Sequence, residues 1–192
     1  MAKGFFVVVE GMDASGKTTA IRNVLDELED AVYSKGLRSN TLFGKISSLH
    51  TSTFTLLAEL AYNTKMVVKP ELRKGRIVLQ DRYYISVLSY DSCIEKPINK
   101  LYASMFMPFY KEPDLLVYFT VSAEERYKRL KNTLKNPEHA KLYRNNKLLS
   151  RTETYYRKFF NEFHGPKRTI DTTDLSERET ARLFYTIIAE NL

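Results

Sequence analysis

The chain has one cysteine, Cys93, in 192 residues, so no intrachain disulfide can form, and this usage fits a reducing cytoplasm. Its three histidines, His50, His139 and His164, share no spacing that a structural metal could use. No apolar run approaches the ~20 residues of a membrane span, and the start of the chain lacks a signal-peptide layout. The expectation is a cytoplasmic chain with no membrane partner. There is also no Pro/Gly/Ser-rich linker, low-complexity tract or internal repeat, so residues 1–192 read as a single domain able to bury one core.

Acidic residues are scarce in one stretch. From Arg126 to Lys158 the chain carries eleven basic residues against Glu138 and Glu153, within a net charge of +7. Such a stretch seeks anions. It reads either as a solvated or nucleic-acid-binding face, or as a basic cover over a bound polyanion.

The polyanion is supplied near the start. Gly11-Met12-Asp13-Ala14-Ser15-Gly16-Lys17-Thr18 completes G-x-x-x-x-G-K-[ST] directly after the apolar run Phe5-Phe6-Val7-Val8-Val9. A strand that stops at a glycine-rich turn and reopens as a helix aims backbone N–H groups and the positive helix end at one point, where a phosphate belongs. Gly11 and Gly16 permit the turn, Lys17 would reach the β- and γ-phosphates, and the Thr18 hydroxyl would be a ligand for Mg²⁺. The basic stretch is therefore read as a cover over nucleotide, and nucleic acid is not expected as a partner.

Short β-branched runs alternate with helix-length amphipathic segments, the layout of a parallel sheet wrapped by helices. The pattern predicts strands at 5–9, 41–43, 76–80, 115–121 and 168–171. The fold class is α/β: a three-layer α/β/α P-loop NTPase fold with a five-stranded parallel sheet. Ser122-x-x-Glu125 and Ser176-x-x-Glu179 read as capping boxes. Leu101, Met105, Phe106 and Phe109 have helical spacing and read as core, as does the stretch Tyr155, Tyr156, Phe159 and Phe160.

A second constellation ends the third strand. Asp81-Arg82-Tyr83 is followed by Ser86 and Tyr90 at helical spacing. Ligands of open α/β sheets bind at the carboxyl ends of strands, so Asp81 and Arg82 should face the crevice at Gly11. A carboxylate there can act near Mg²⁺, and an arginine can grip a phosphate with two donors.

With these residues in place, the chain resembles the thymidylate kinase family of nucleoside monophosphate kinases. Glu10-Gly11-Met12-Asp13-Ala14-Ser15-Gly16-Lys17-Thr18-Thr19 is similar to the family's E-G-x-D-G-x-G-K-T-T loop. The strand from Lys74 to Tyr83 resembles its x-G-x-x-V-x-x-D-R-Y element, Pro113-Asp114-Leu115 its P-D-L, and Ile170-Asp171 its late I-D. The resemblance implies transfer of the γ-phosphoryl group of ATP to a nucleoside monophosphate, foremost dTMP, with Mg²⁺, by a homodimer to which the helix from Ile85 to Ile94 could contribute. Residues 11 to 19 would hold ATP, and Thr18 and Asp81 the metal. Asp13 would meet the acceptor sugar, Arg82 its phosphate, and Tyr90 would line the sugar pocket. Family members that lack a loop arginine carry the catalytic cation in the lid. Ala14 places this chain among them, with the lid at about 131–147, Arg144 and Arg151 as candidates, and Lys141 and Lys147 as weaker ones. A cation on the transferring group is worth roughly 10³ to 10⁵ in rate.

Two departures concern the acceptor. The family's R-E-P-G-G-T-like stretch is missing, and Lys45 stands in for its phosphate-contacting arginine. The helix that in the family stacks a phenylalanine on thymine and bonds its edge with an arginine has, counting back from Asp81, Leu57 and Ala61 at those places. A small slip would bring in Tyr62 or Asn63. Asp91 stands where many members have glutamine. The expectation is relaxed base selectivity or a different preferred base. The rivals are a nucleoside kinase and a non-catalytic P-loop protein that binds nucleic acid. A GTPase is disfavoured because Asn99-Lys100 continues as Leu101-Tyr102 rather than completing N-K-x-D.

Overall fold

The run from Phe5 to Val9 carries large apolar side chains on both faces of an extended chain, and such a strand is stable only when both faces are covered. In the computed structural model, which describes residues 3–92, 98–131 and 146–192, it is β1 (Phe5–Glu10), at the centre of the sheet. The other strands are β2 (Ala31–Lys35), β3 (Ile77–Asp81), β4 (Leu115–Thr120) and β5 (Lys167–Asp171). Their order is β2-β3-β1-β4-β5, and every pairing is parallel. The expected five-stranded parallel sheet is present.

Alternation along β1 divides the core in two. Val7 and Val9 pack with Ile21 and Val24 of α1 (Lys17–Leu25) and with Phe184 and Ile188 of α9 (Glu177–Ala189). Phe6 and Val8 pack on the other face with Leu57 and Leu60 of α3 (Thr53–Asn63), Ile85 and Val87 of α5 (Tyr84–Ser92), and Tyr156 of α8 (Asn146–Glu162). Connections run to one side of β1 for β2 and β3 and to the other for β4 and β5. That reversal opens a crevice at the carboxyl ends of the strands. Asp114 secures the start of β4 by accepting the Phe6 N–H at 2.9 Å.

The second strand lies ten residues before the expected one. Ala31–Lys35 is an edge strand in which Ser34 alone is fully buried, so it lacks the apolar signature that marks the inner strands. Thr41, Leu42 and Phe43 instead begin α2 (Leu42–Leu49), where the Thr41 hydroxyl caps the helix by accepting from Gly44 N–H at 3.1 Å. The Ser176 capping box forms in full. At Ser122 only half forms: its hydroxyl accepts from Glu125 N–H, but the Glu125 carboxylate turns to Arg129, 3.0 Å away.

Between α3 and β3 lie a π-helical turn (Thr64–Val68) and α4 (Lys69–Arg73). Between α5 and β4 lie α6 (Ile98–Phe106) and a 3₁₀ turn (Met107–Phe109); α7 (Ala123–Lys131) follows β4. Leu101, Met105 and Phe109 are not core, being 63%, 47% and 59% exposed; of that set only Phe106 packs inward, edge-on to Phe54. Helical spacing identifies a face, not what covers it. The Tyr155 stretch does pack: Tyr156 is fully buried, and Phe159 and Phe160 lie against the same cluster.

Gly36, just after β2, donates its N–H to the Asp81 carbonyl at 2.9 Å, and a Cβ on it would fall on the Arg82 carbonyl oxygen. Gly36→Ala is therefore expected to destabilise the protein by roughly 1–3 kcal/mol, as overpacking against backbone does. Urea unfolding midpoints measure this, and an unchanged midpoint would contradict the close approach.

Candidate active site

The loop after β1 turns twice through left-handed backbone, at Ala14 (φ 61°) and Gly16 (φ 84°), and a Cβ at Gly11 would fall on the Phe119 carbonyl oxygen. No side chain caps the helix it opens, α1, so the first-turn N–H groups remain directed into the crevice. Lys17 is buried and folds back over the loop, donating to the Met12 carbonyl at 2.7 Å and to the Ser15 hydroxyl at 3.2 Å. Burial lowers its pKa to about 8.

In the sheet, Val9 is the register partner of Asp81, so the loop after β1 and the residues after β3 begin side by side. Thr18 Oγ1 donates to Asp81 Oδ2 at 2.6 Å, while Asp81 Oδ1 is buried with no hydrogen-bond partner among the described residues. An unused carboxylate oxygen beside a hydroxyl, next to a phosphate cradle, is a hard-oxygen set that fits Mg²⁺.

Arg82 is held in left-handed backbone (φ 73°), with its N–H bonded to the Val9 carbonyl at 2.9 Å. Its guanidinium pairs with the Asp13 carboxylate through Nη2. Through Nη1 it reaches the Gly11 carbonyl at 3.4 Å, Ser86 Oγ at 3.3 Å and Tyr156 Oη at 3.2 Å. Burial opposes the charge, but Asp13 outweighs it together with Tyr156, Tyr90 and Asp81, and Arg82 stays protonated. Tyr90 donates to Asp13 at 3.4 Å and lies under the guanidinium. Asp13, Arg82 and Tyr90 are thus one cluster.

Asp13, Lys17, Thr18, Asp81, Arg82 and Tyr90 line one cleft of about 1240 Å³, but three of the expected acceptor residues do not. Lys45 is exposed on α2, away from the cleft; the cations that line it after β2 are Lys35 and Arg38. Leu57 is fully buried in the core, and Ala61 is also off the cleft, where α3 presents Thr53 and Leu56. α3 turns Leu57 and Leu60 into the core, so its cleft face carries Leu56 instead. Tyr62 stacks on Phe43, and Asn63 is buried, donating to the carbonyls of Lys35 and Gly36 at 3.2 Å. Asp91 lines the cleft.

Glu59 moors the Arg38 loop. Its buried carboxylate accepts from Arg38 N–H at 3.0 Å and from Ser39 N–H at 2.7 Å. Arg38 itself is in left-handed backbone (φ 51°).

On the opposite side, sequence reasoning missed Arg129 and Thr172. Arg129 donates to the Ala14 carbonyl at 3.3 Å, and to Thr172 at Oγ1 (3.0 Å) and at the carbonyl (2.7 Å), tying α7 and β5 to the phosphate loop. Thr172 follows the Ile170-Asp171 strand end, so the strand-end rule would have reached it. Arg126, inside the basic stretch, is buried against Met12 Sδ at 3.2 Å. Arg144 and Lys141, with most of the expected lid, lie outside the described residues; Lys147 is exposed and Arg151 half-buried on α8.

Beneath the cluster lies Glu10, fully buried and pushed up to about 7 chiefly by that burial. A carboxyl raised from 4.5 to about 7 holds, in the native state, a proton that the unfolded chain has lost, so its contribution to stability falls as pH rises through that window. The expected loss is about 3 kcal/mol, at 1.36 kcal/mol per unit. Urea unfolding at intervals from pH 4.5 to 8 should show this slope in the wild type and not in Glu10→Gln; parallel curves would refute it.

A family model described as thymidylate kinase matches residues 9–182. The thymidylate kinase of Mesoplasma florum is 33% identical over 144 residues, covering 65% of this chain and 67% of that protein. That of Buchnera aphidicola is 31% identical over 152 residues, 69% of this chain and 71% of the other. Among solved structures, a thymidylate kinase from Candida albicans superposes with a TM-score of 0.78 at 19% identity, over 100% of this chain and 93% of that one. With the phosphate loop, the Asp81-Arg82 strand end and these matches together, the chain belongs to the thymidylate kinase family of nucleoside monophosphate kinases.

Proposed function

We propose that this protein transfers the γ-phosphoryl group of ATP to dTMP, giving dTDP and ADP. The observation that carries the reading is the cluster of Arg82, Asp13 and Tyr90 beside the loop of Lys17, which provides one seat for a donor triphosphate and another for a nucleotide that already bears a phosphate. A nucleoside kinase has no acceptor phosphate for the arginine of this cluster to meet, so the cluster favours the monophosphate reading.

The parts act mainly by alignment and charge. The amides of residues 11 to 19 and Lys17 cradle the β- and γ-phosphates. Arg82 holds the acceptor phosphate, with Lys35 and Arg38, which line the same cleft, in the place first given to Lys45. Asp13 and Tyr90 face the sugar. Thr18 and Asp81 are the residues that would hold Mg²⁺, which when bound neutralises charge on the phosphate oxygens. The cation on the transferring group comes from the basic stretch, with Arg144 and Arg151 as candidates. A cytoplasmic location goes with this reading, and no helix among the described residues is long and apolar enough to cross a membrane.

The cleft face of α3 offers Thr53 and Leu56, neither a π-face nor a planar fork of donors. Apolar contacts of methyl size discriminate by about 10- to 200-fold. Steady-state assays across dTMP, dUMP, UMP, CMP, AMP and GMP, with thymidine as a control, should therefore give dTMP the highest kcat/KM with other pyrimidine monophosphates within that range. Lys17→Ala should lose turnover and keep its fold. Turnover of none of these monophosphates, or of thymidine in their place, would end the proposal.

A homodimer belongs to the same reading, and the apolar surface for it is on α2 and α6. Ile85 and Val87 of α5 are spent in the core, and Ile94 lies outside the described residues. Leu42 and Leu49 of α2 are 67% and 79% exposed, and α6 adds Leu101 and Met105 beyond its contact with Phe54 of α3. Sedimentation should show a dimer for the wild type at micromolar concentration and a folded monomer for Leu101→Glu. A wild-type monomer would remove this part.

A further inference from the structure

The Arg82 guanidinium has a second set of neighbours beneath it that no role above uses. Glu10, at the end of β1, is fully buried, and its carboxylate accepts three hydrogen bonds from the segment that carries Arg82. Oε1 accepts from the backbone N–H of Tyr83 at 2.9 Å and of Ser86 at 3.0 Å, which caps the first turn of α5. Oε2 accepts the Ser86 hydroxyl proton. With its one proton committed, Ser86 Oγ has two lone pairs left. They receive Tyr156 Oη–H at 2.9 Å and Arg82 Nη1–H at 3.3 Å. Tyr156, reached from α8, also accepts from Arg82 Nη1 at 3.2 Å.

Every position in this chain of bonds is filled, and its direction is set at Glu10. Only an unprotonated acceptor at Oε2 makes the serine donate downward and accept from above. A glutamine amide in that place would donate to Ser86 Oγ, leaving three donors facing an oxygen with two lone pairs, and either Arg82 or Tyr156 would lose its partner. The backbone is under the same control. Arg82 lies in left-handed φ, fixed on one side by its bond to the Val9 carbonyl and on the other by the Glu10 cap on Tyr83.

We propose that Glu10 is a positioning residue: through Tyr83, Ser86 and Tyr156 its carboxylate holds the Arg82 guanidinium in the orientation that meets the acceptor phosphate. This rests on the reading of Arg82 as the acceptor-phosphate arginine. The charged and titratable groups that act with Glu10 are Arg82 before α5, Tyr84 on α5, Lys17 on α1, Tyr118 on β4 and Tyr156 on α8. Of these Arg82 favours the carboxylate form, against a burial that pushes the group up to about 7.

The test compares wild type, Glu10→Gln, Ser86→Ala and the double variant. Two readouts are taken: dTMP and ATP kinetics, and the Arg82 side-chain N–H signal in ¹⁵N NMR, assigned with Arg82→Lys. Glu10→Gln should lower kcat/KM for dTMP by about tenfold or more, the loss expected for a hydrogen bond to a charged group, and leave KM for ATP unchanged. The Arg82 signal should move in both single variants, and the double variant should be no worse than the worse single. Below about pH 7 the wild type itself takes up the proton, so its advantage over Glu10→Gln should narrow. An unmoved Arg82 signal with wild-type dTMP kinetics in Glu10→Gln, or fully additive losses in the double variant, would overturn the proposal. If Glu10→Gln does not fold, Ser86→Ala and Tyr156→Phe decide it by the same signal. If the wild type phosphorylates no monophosphate, the functional reading falls while the Arg82 signal still judges the positioning.

Discussion

The parallel pairing of β1 with β3 is the constraint on which the site depends. Its register sets Val9 beside Asp81, so the chain leaving β1 as a phosphate loop and the chain leaving β3 as Asp81-Arg82 start from one point and diverge around it. Thr18 reaches Asp81 and Asp13 reaches Arg82 across that gap, over sequence separations of more than sixty residues. A slip by one residue would turn Asp81 to the opposite face of the sheet and place Arg82 where Asp81 now lies. The two apolar layers fix that register, since Phe6 and Val8 must face one cluster and Val7 and Val9 the other.

The site gathers charges that a core ordinarily excludes. Glu10, Lys17 and Asp81 are nearly or wholly buried, Asp13 and Arg82 partly so. Each is tolerated because a neighbour of opposite sign or a set of backbone donors meets it. Lys17 bends onto the Met12 carbonyl, a position from which it can turn to phosphate oxygens, and Arg82 rests against Asp13. In a weakly screened crevice, the same charges act more strongly on a ligand than they could on an open surface.

What could be read from sequence was what the sequence encodes locally. The inner strands announce themselves as apolar runs, and the phosphate loop and Asp81-Arg82 by residue order. The second strand escaped because an edge strand with one fully buried side chain has little pattern to show, while Thr41-Leu42-Phe43 looked extended and is a capped helix start. Leu57 and Ala61 were misplaced because a count along the chain does not say which face of an apolar helix meets the cleft, and Lys45 because the strand before it was misplaced. Arg129 and Thr172 meet across 43 positions, a relation that exists only once β4 and β5 have paired. The exposure of α6 escaped because helical spacing gives a face its apolar character without saying whether anything lies against it.

Glu59 and Leu56 sit on the same helix three residues apart, one gripping the backbone of Arg38 and the other lining the cleft. The cleft wall at Leu56 and the backbone that carries Arg38 are therefore tied to one helix. On the function proposed above it would work as a caliper: a nucleotide would be measured by the span from its ring to its phosphate before any contact examines which ring it carries.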